Sequence, residues 1–128
     1  MSKLARVLTT TLAAAAASFA FTAGAAQATP EPDVYLYTGT LAHCTDTGEH
    51  GVDGGVFSDY TCRNGVAGYS VLVEPTYGSF TDVDLNTFDG PDGQTNCQFA
   101  GNNGRNEGVW SSYTCQLGIV GWILIVSN

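Results

Sequence analysis

Residues 44–73 read CTDTGEHGVDGGVFSDYTCRNGVAGYSVLV, and residues 97–126 read CQFAGNNGRNEGVWSSYTCQLGIVGWILIV. The two stretches align without a gap, with 12 identities in 30 positions. Cys44 and Cys62 stand 18 positions apart, and so do Cys97 and Cys115. The chain is therefore an internal duplication, and each copy is expected to close its own disulfide. The alternative of a zinc site is set aside, because the close C-x2-C pairing of such sites is missing. In the chain-entropy description each bridge stabilises by roughly 3 kcal/mol.

The duplication extends backwards from the cysteines. Val34-Tyr35-Leu36-Tyr37-Thr38 matches Val83-Asp84-Leu85-Asn86-Thr87 in the pattern V-x-L-x-T. The second copy carries four extra residues within Asp89-Gly90-Pro91-Asp92-Gly93, whose turn chemistry predicts a longer surface loop. The units span about residues 34–74 and 83–127, joined through strand-breaking Glu74-Pro75-Thr76-Tyr77-Gly78.

Each unit offers three strands. The first is V-x-L-x-T, with period-two alternation. The second is Val56–Cys62, or Val109–Cys115, and the third is Val66–Val73, or Ile119–Val126. Arg63-Asn64-Gly65 and Gln116-Leu117-Gly118 fall where a hairpin should turn, with Gly65 or Gly118 free to take positive φ. On the second strand, alternation puts Val56, Ser58, Tyr60 and Cys62 inward and Phe57, Asp59 and Thr61 outward.

Between the first two strands, Cys44, Gly48, Gly51 and Gly55 recur as Cys97, Gly101, Gly104 and Gly108. These offsets place small residues on one side of a helix, which could then lie close to a sheet. The expected architecture is α+β: two tandem β-α-β-β repeats forming one small disulfide-bonded domain. An all-β chain with glycine-rich loops in place of the helices is the alternative, since each interior glycine weakens a helix by about 1 kcal/mol. The last strand is apolar on both faces. It is either central and covered twice, or lines an interface, leaving a monomer or a weak dimer.

The first 28 residues read as a secretory signal: Lys3 and Arg6, an apolar run from Val7 to Phe21, and Ala26-Gln27-Ala28 at the cleavage site. Residues 29–128 then form a single secreted domain. They hold two basic residues, Arg63 and Arg105, against twelve acidic ones, a net charge of −10. That surface repels phosphate backbones and anionic membrane, which excludes nucleic acid and favours a basic partner or a cation.

His43, Asp46, His50 and Asp53 form one stripe on the predicted helix, a ligand set suited to a zinc-type cation or to a carboxylate enzyme. A solvated polar face is the plainer account, and the second copy has Asn96, Phe99, Asn103 and Asn106 there. Asp82, Asp84 and Asn86, with Asp89 or Asp92, imitate a calcium loop. Thr87 and Gly93 occupy its decisive positions. No nucleophile elbow or triad context is present. No cofactor is implied. Tyr35 and Tyr37 alternate on one strand face, and Phe57 and Trp110 hold equivalent, outward positions from which rings stack on sugars or anchor an interface. Packing over the glycine face of their own repeat is the competing account.

The signal segment, the duplicated C-x17-C segments ending in Tyr-Thr-Cys, and above all Tyr60-Thr61-Cys62-Arg63-Asn64-Gly65-Val66-Ala67-Gly68-Tyr69 resemble small secreted proteins of actinobacteria. That group is uncharacterised, so the resemblance implies export and fold, not an activity. The expectation is a non-catalytic binding module for an extracellular protein or glycan. One version is an inhibitor of a secreted hydrolase that presents Asp89–Asn96. A metal-binding or carboxylate enzyme centred on His43–Asp53 is one alternative, and a cell-surface structural component assembling through Ile119–Val126 is another.

Overall fold

The computed structural model describes residues 32–128. The expected signal segment and its cleavage site lie outside them. The elements run β1 (Val34–Gly39), α1 (Leu41–Asp53), β2 (Phe57–Gly65), β3 (Gly68–Pro75), β4 (Val83–Phe88), α2 (Gly93–Asn106), β5 (Ser112–Leu117) and β6 (Trp122–Ser127). The β-α-β-β unit thus occurs twice, and both glycine-rich segments are helices. Each unit makes its own antiparallel sheet, in the orders β1-β3-β2 and β4-β6-β5. Cys44–Cys62 and Cys97–Cys115 are bonded, each tying the first helical turns of its unit to the second strand. Among the described residues no helix is long and apolar enough to cross a membrane.

The glycine face makes the helices possible. A Cβ added at Gly48 would lie 2.2 Å from the Tyr60 ring, and one at Gly51 would lie 2.2 Å from Phe57. In the second copy Gly101 meets Tyr113 at 2.4 Å and Gly104 meets Trp110 at 2.1 Å. Backbone therefore lies directly on aromatic rings, and apolar burial against them offsets the weak helix propensity of glycine. Both helices stop in the same way. Gly55 and Gly108 adopt φ of +80° and +77°, and the amides of Val56 and Val109 bond back to the Gly51 and Gly104 carbonyls at 2.8 Å. This is the Schellman closure, and it requires a residue tolerant of the left-handed region.

Three sequence expectations need correction, each for a backbone reason. Phe57 and Trp110 do not face outward; each is 1% exposed and lies on its helix glycines. In the first copy a bulge places Ser58 opposite no partner between the Phe57–Pro75 and Asp59–Glu74 pairs, so the alternation resets and both Val56 and Phe57 point inward. The hairpin turn lies further along than expected. Gly65 pairs with Gly68, Val66 and Ala67 make the turn, and the positive φ falls on Gly68. Finally, of the two readings of the last strand the central one holds and the interface one falls: β6 lies between β4 and β5, so residues 122–126 offer no edge for assembly.

The two repeats share one core. Helix α1 covers β2 and β3 of its own sheet and also β4 of the other unit, while α2 covers β5 and β6 and also β1. The exchange is built around a second pair of bulges. In β1 the register skips Leu36, and in β4 it skips Leu85. Both leucine side chains are fully buried. A bulged carbonyl leaves the ladder and needs another donor. Asn103 Nδ2 of α2 donates to Leu36 O at 2.7 Å, and His50 Nδ1 of α1 donates to Leu85 O at 2.7 Å. His50 and Asn103 are equivalent positions, so each repeat stitches the free edge of the other in the same way.

Candidate functional site

The bulge at Leu36 also divides the two tyrosines of β1. Tyr37 turns inward and is 5% exposed, whereas Tyr35 remains 39% exposed. Tyr37 enters a hydrogen-bond chain that crosses between the repeats. The Thr87 carbonyl can only accept, so the 2.8 Å contact places a proton on His43 Nε2. His43 Nδ1 then accepts from the Tyr37 hydroxyl at 2.6 Å. The Tyr37 oxygen accepts from the Thr47 hydroxyl at 2.6 Å, and Thr47 accepts from Asn86 Nδ2 at 2.9 Å. Burial is the main cause that raises the Tyr37 phenol well above its ordinary range; the bonds to Thr47 and Asn86 oppose it, and the Asp46 charge adds to it.

Above this chain opens a cavity of about 720 Å³, lined by residues of both repeats. Gly39, His43 and Asp46 of the first copy face Phe88, Asn96 and Phe99, which are their counterparts in the second. The cavity therefore straddles the local symmetry of the duplication. Its floor is an aromatic cluster: Tyr37 meets Phe88 edge-on at 5.1 Å between centroids and His43 edge-on at 5.4 Å, and His43 lies tilted against Phe88 at 4.8 Å. One wall is Tyr35 against Phe99, at 6.5 Å and nearly perpendicular, and both rings are substantially exposed. Thr38, Thr40, Ala42, Asp46 and Asp89 complete the lining. A second depression of about 400 Å³, lined by Asp33, Val34, Tyr35, Asn103, Asn106 and Glu107, shares Tyr35 with the first.

Of the residues singled out in the sequence, the structure brings Tyr35, Tyr37, His43, Asp46 and Asp89 to this cavity. Asp92 lies outside it, at the N-terminus of α2. Of the proposed metal stripe, His43 and His50 each direct a ring nitrogen at a β4 carbonyl, while Asp46 and Asp53 are exposed. Among the described residues no three His, Cys, Asp or Glu side chains converge as a cation site. The imitation calcium loop also comes apart, because Asn86 turns inward to Thr47 and His43.

The sequence reading missed Phe88, Phe99 and Thr47, and reached Asn96 only as the end of the Asp89–Asn96 segment. The available signal was the mismatch between copies: Gly39 against Phe88 and Asp46 against Phe99 are where the duplicates differ in chemistry at a shared position. With both ring nitrogens bonded, His43 has no lone pair free for a substrate proton, and Thr47 is buried beneath it. What the cavity offers a ligand is aromatic surface and two rim carboxylates.

Comparison of the chain with protein-family models, with curated proteins and with solved structures yields no match.

Proposed function

We propose that this protein is a small secreted, disulfide-stabilised, non-catalytic binding module that takes its extracellular ligand at the cavity between the repeats. The observation that carries the reading is the aromatic-walled cavity itself. Tyr35 and Phe99 stand half-exposed over a floor of Tyr37, His43 and Phe88 that hydrogen bonds and packing hold in place. Preorganised aromatic surface with a few directional polar groups at its rim is the usual composition of a binding site. A floor locked before the ligand arrives reduces the ordering cost of binding. The two disulfides suit an exported chain. Inhibition of a secreted hydrolase is the specific form we favour, with Asp89 and Asn96 at the cavity and the rest of Asp89–Asn96, a short loop that runs into the first turn of α2, beside it.

The test is a screen of the disulfide-closed protein against secreted peptidases and glycosidases, with insoluble glycans alongside, followed by Tyr35→Ala and Phe99→Ala. Both rings are exposed, so these variants keep the fold. The expected result is a stoichiometric ligand whose retention falls at least tenfold in either variant. Turnover of a substrate, or a ligand indifferent to both changes, refutes the reading.

A further inference from the structure

Carboxylates ring the cavity and its neighbour without a counter-charge. Asp46 and Asp89 line the larger depression, and Asp33 and Glu107 the smaller one beyond Tyr35. The only cations among the described residues are Arg63, out on β2, and Arg105, which lies 5.2 Å above the Tyr113 ring and bonds to Asn102. Neither lines a depression. Carboxylates beside exposed aromatic faces are the setting in which a planar guanidinium stacks and pairs at once.

The surroundings match a protein better than a free amine. Both hairpins turn beside the cavity rim. The Cβ position of Gly68 is 2.7 Å from Gly39 O, and that of Gly121 is 2.4 Å from Phe88 O, Gly39 and Phe88 being lining residues. Next to these glycines the turns hold Val66 and Ile119, 109% and 104% exposed, and Val120 at 72%. Fully exposed β-branched apolar residues at equivalent tips of both copies form a rim suited to docking on a protein surface.

Resting on the binding-module reading, we infer that the partner is a protein that lays an arginine side chain in the cavity against the exposed Tyr35–Phe99 wall, where Asp46 and Asp89 balance its charge. Two local features would then act together: an exposed ring face stacks on the guanidinium plane, and the two carboxylates pair with its charge and repel an acidic surface.

The test uses the full chain with both disulfides closed, labelled with nitrogen-15 and titrated with four probes. These are the peptide Ac-Gly-Leu-Arg-Leu-Gly-amide, the same peptide with citrulline for arginine, spermidine, and a hexamer of N-acetylglucosamine. The arginine peptide should shift the amides of residues 38–40 and 88–89. Citrulline should bind at least tenfold more weakly, and spermidine should bind more weakly than the peptide. Combined Asp46→Asn and Asp89→Asn should lower arginine-peptide affinity at least tenfold, with the amide spectrum otherwise unchanged. Equal binding of citrulline, or tighter binding of spermidine, overturns the inference. If the sugar shifts these amides and arginine does not, the inference falls and the binding-module reading stands. If no probe shifts them and the hydrolase and glycan screen is also empty, both fall.

Discussion

Replacing Gly104 by alanine tests the packing on which the whole architecture rests. On an isolated helix this change stabilises by about 1 kcal/mol. Here the new methyl would sit 2.1 Å from the Trp110 ring, whereas carbon atoms pack at roughly 3.5–4.0 Å. The ring would have to retreat by more than an ångström. It has little room to do so, being 1% exposed and held by its indole N–H on Gly101 O at 2.9 Å. Overpacking of this kind destabilises by about 1–3 kcal/mol, and expelling the ring altogether by about 3–5 kcal/mol. After the helix gain is subtracted, a net loss of about 2 kcal/mol is expected. For a domain of this size that lowers Tm by about 10 °C. The assay is urea and thermal unfolding of the oxidised protein, followed by far-ultraviolet dichroism and tryptophan fluorescence. Asn106→Ala, at an exposed position of the same helix, is the control and should gain a few tenths of a kcal/mol. If Gly104→Ala is neutral or stabilising, the helix does not lie on the ring and the account of the glycine face is wrong.

Removing the reciprocal stitches should also register. Asn103→Ala and His50→Ala each leave a bulge carbonyl without its donor, and each should destabilise by about 1–2 kcal/mol in urea titrations; Asn103→Ala should be the more costly, as His50 is the more exposed. Tyr37→Phe strips the partner from Thr47 and from His43 Nδ1, and should lower stability by about 1–3 kcal/mol at neutral pH. The same phenol predicts an alkaline signature. Its folded-state pKa lies above the unfolded value of 10.0, so its contribution is complete below pH 10 and is lost as pH rises beyond it. Ultraviolet titration should therefore find one of the six tyrosines silent until the protein unfolds, and Tyr37→Phe should remove that silent group. Reducing both disulfides should destabilise by roughly 3 kcal/mol per bridge, read as a drop in the urea midpoint under thiol.

Local spacing pointed to the elements and to the disulfides, with a glycine-rich loop left open in place of each helix. Offsets of 4 and 7 from each cysteine place two glycines on one side of a helix, the glycine expected there at offset 11 instead ends the helix, and two aromatic residues follow where that side must be covered. Neither the glycine spacing nor the aromatic pair needs knowledge of the rest of the chain. The repeat supplied the pairing, because two copies with the same spacing have one economical solution. The bulges at Leu36, Leu85 and Ser58 were not legible. A bulge inserts one residue without changing composition, and it reverses every inward or outward assignment on one side of it. That is why Tyr35 and Tyr37 part company and why Phe57 turns to the core.

The candidate site was half legible for a related reason. Tyr35, Tyr37, His43 and Asp46 come from one continuous stretch, so local pattern could group them. Phe88, Asn96 and Phe99 join them only because each helix lies across the first strand of the opposite repeat. His43 and His50 looked like metal ligands, as imidazoles one helical stripe apart always do. What engages them is a row of β4 carbonyls more than 30 positions away, whose availability depends on β4 being an edge strand with a bulge. The chain by itself determined two β-α-β-β units, their bridges and a strongly acidic surface, since these follow from short-range spacing and charge. Tertiary structure alone decided that the units interlock, that a cavity opens on their shared axis, and which rings reach it, because those depend on which backbone groups the sheets leave unpaired.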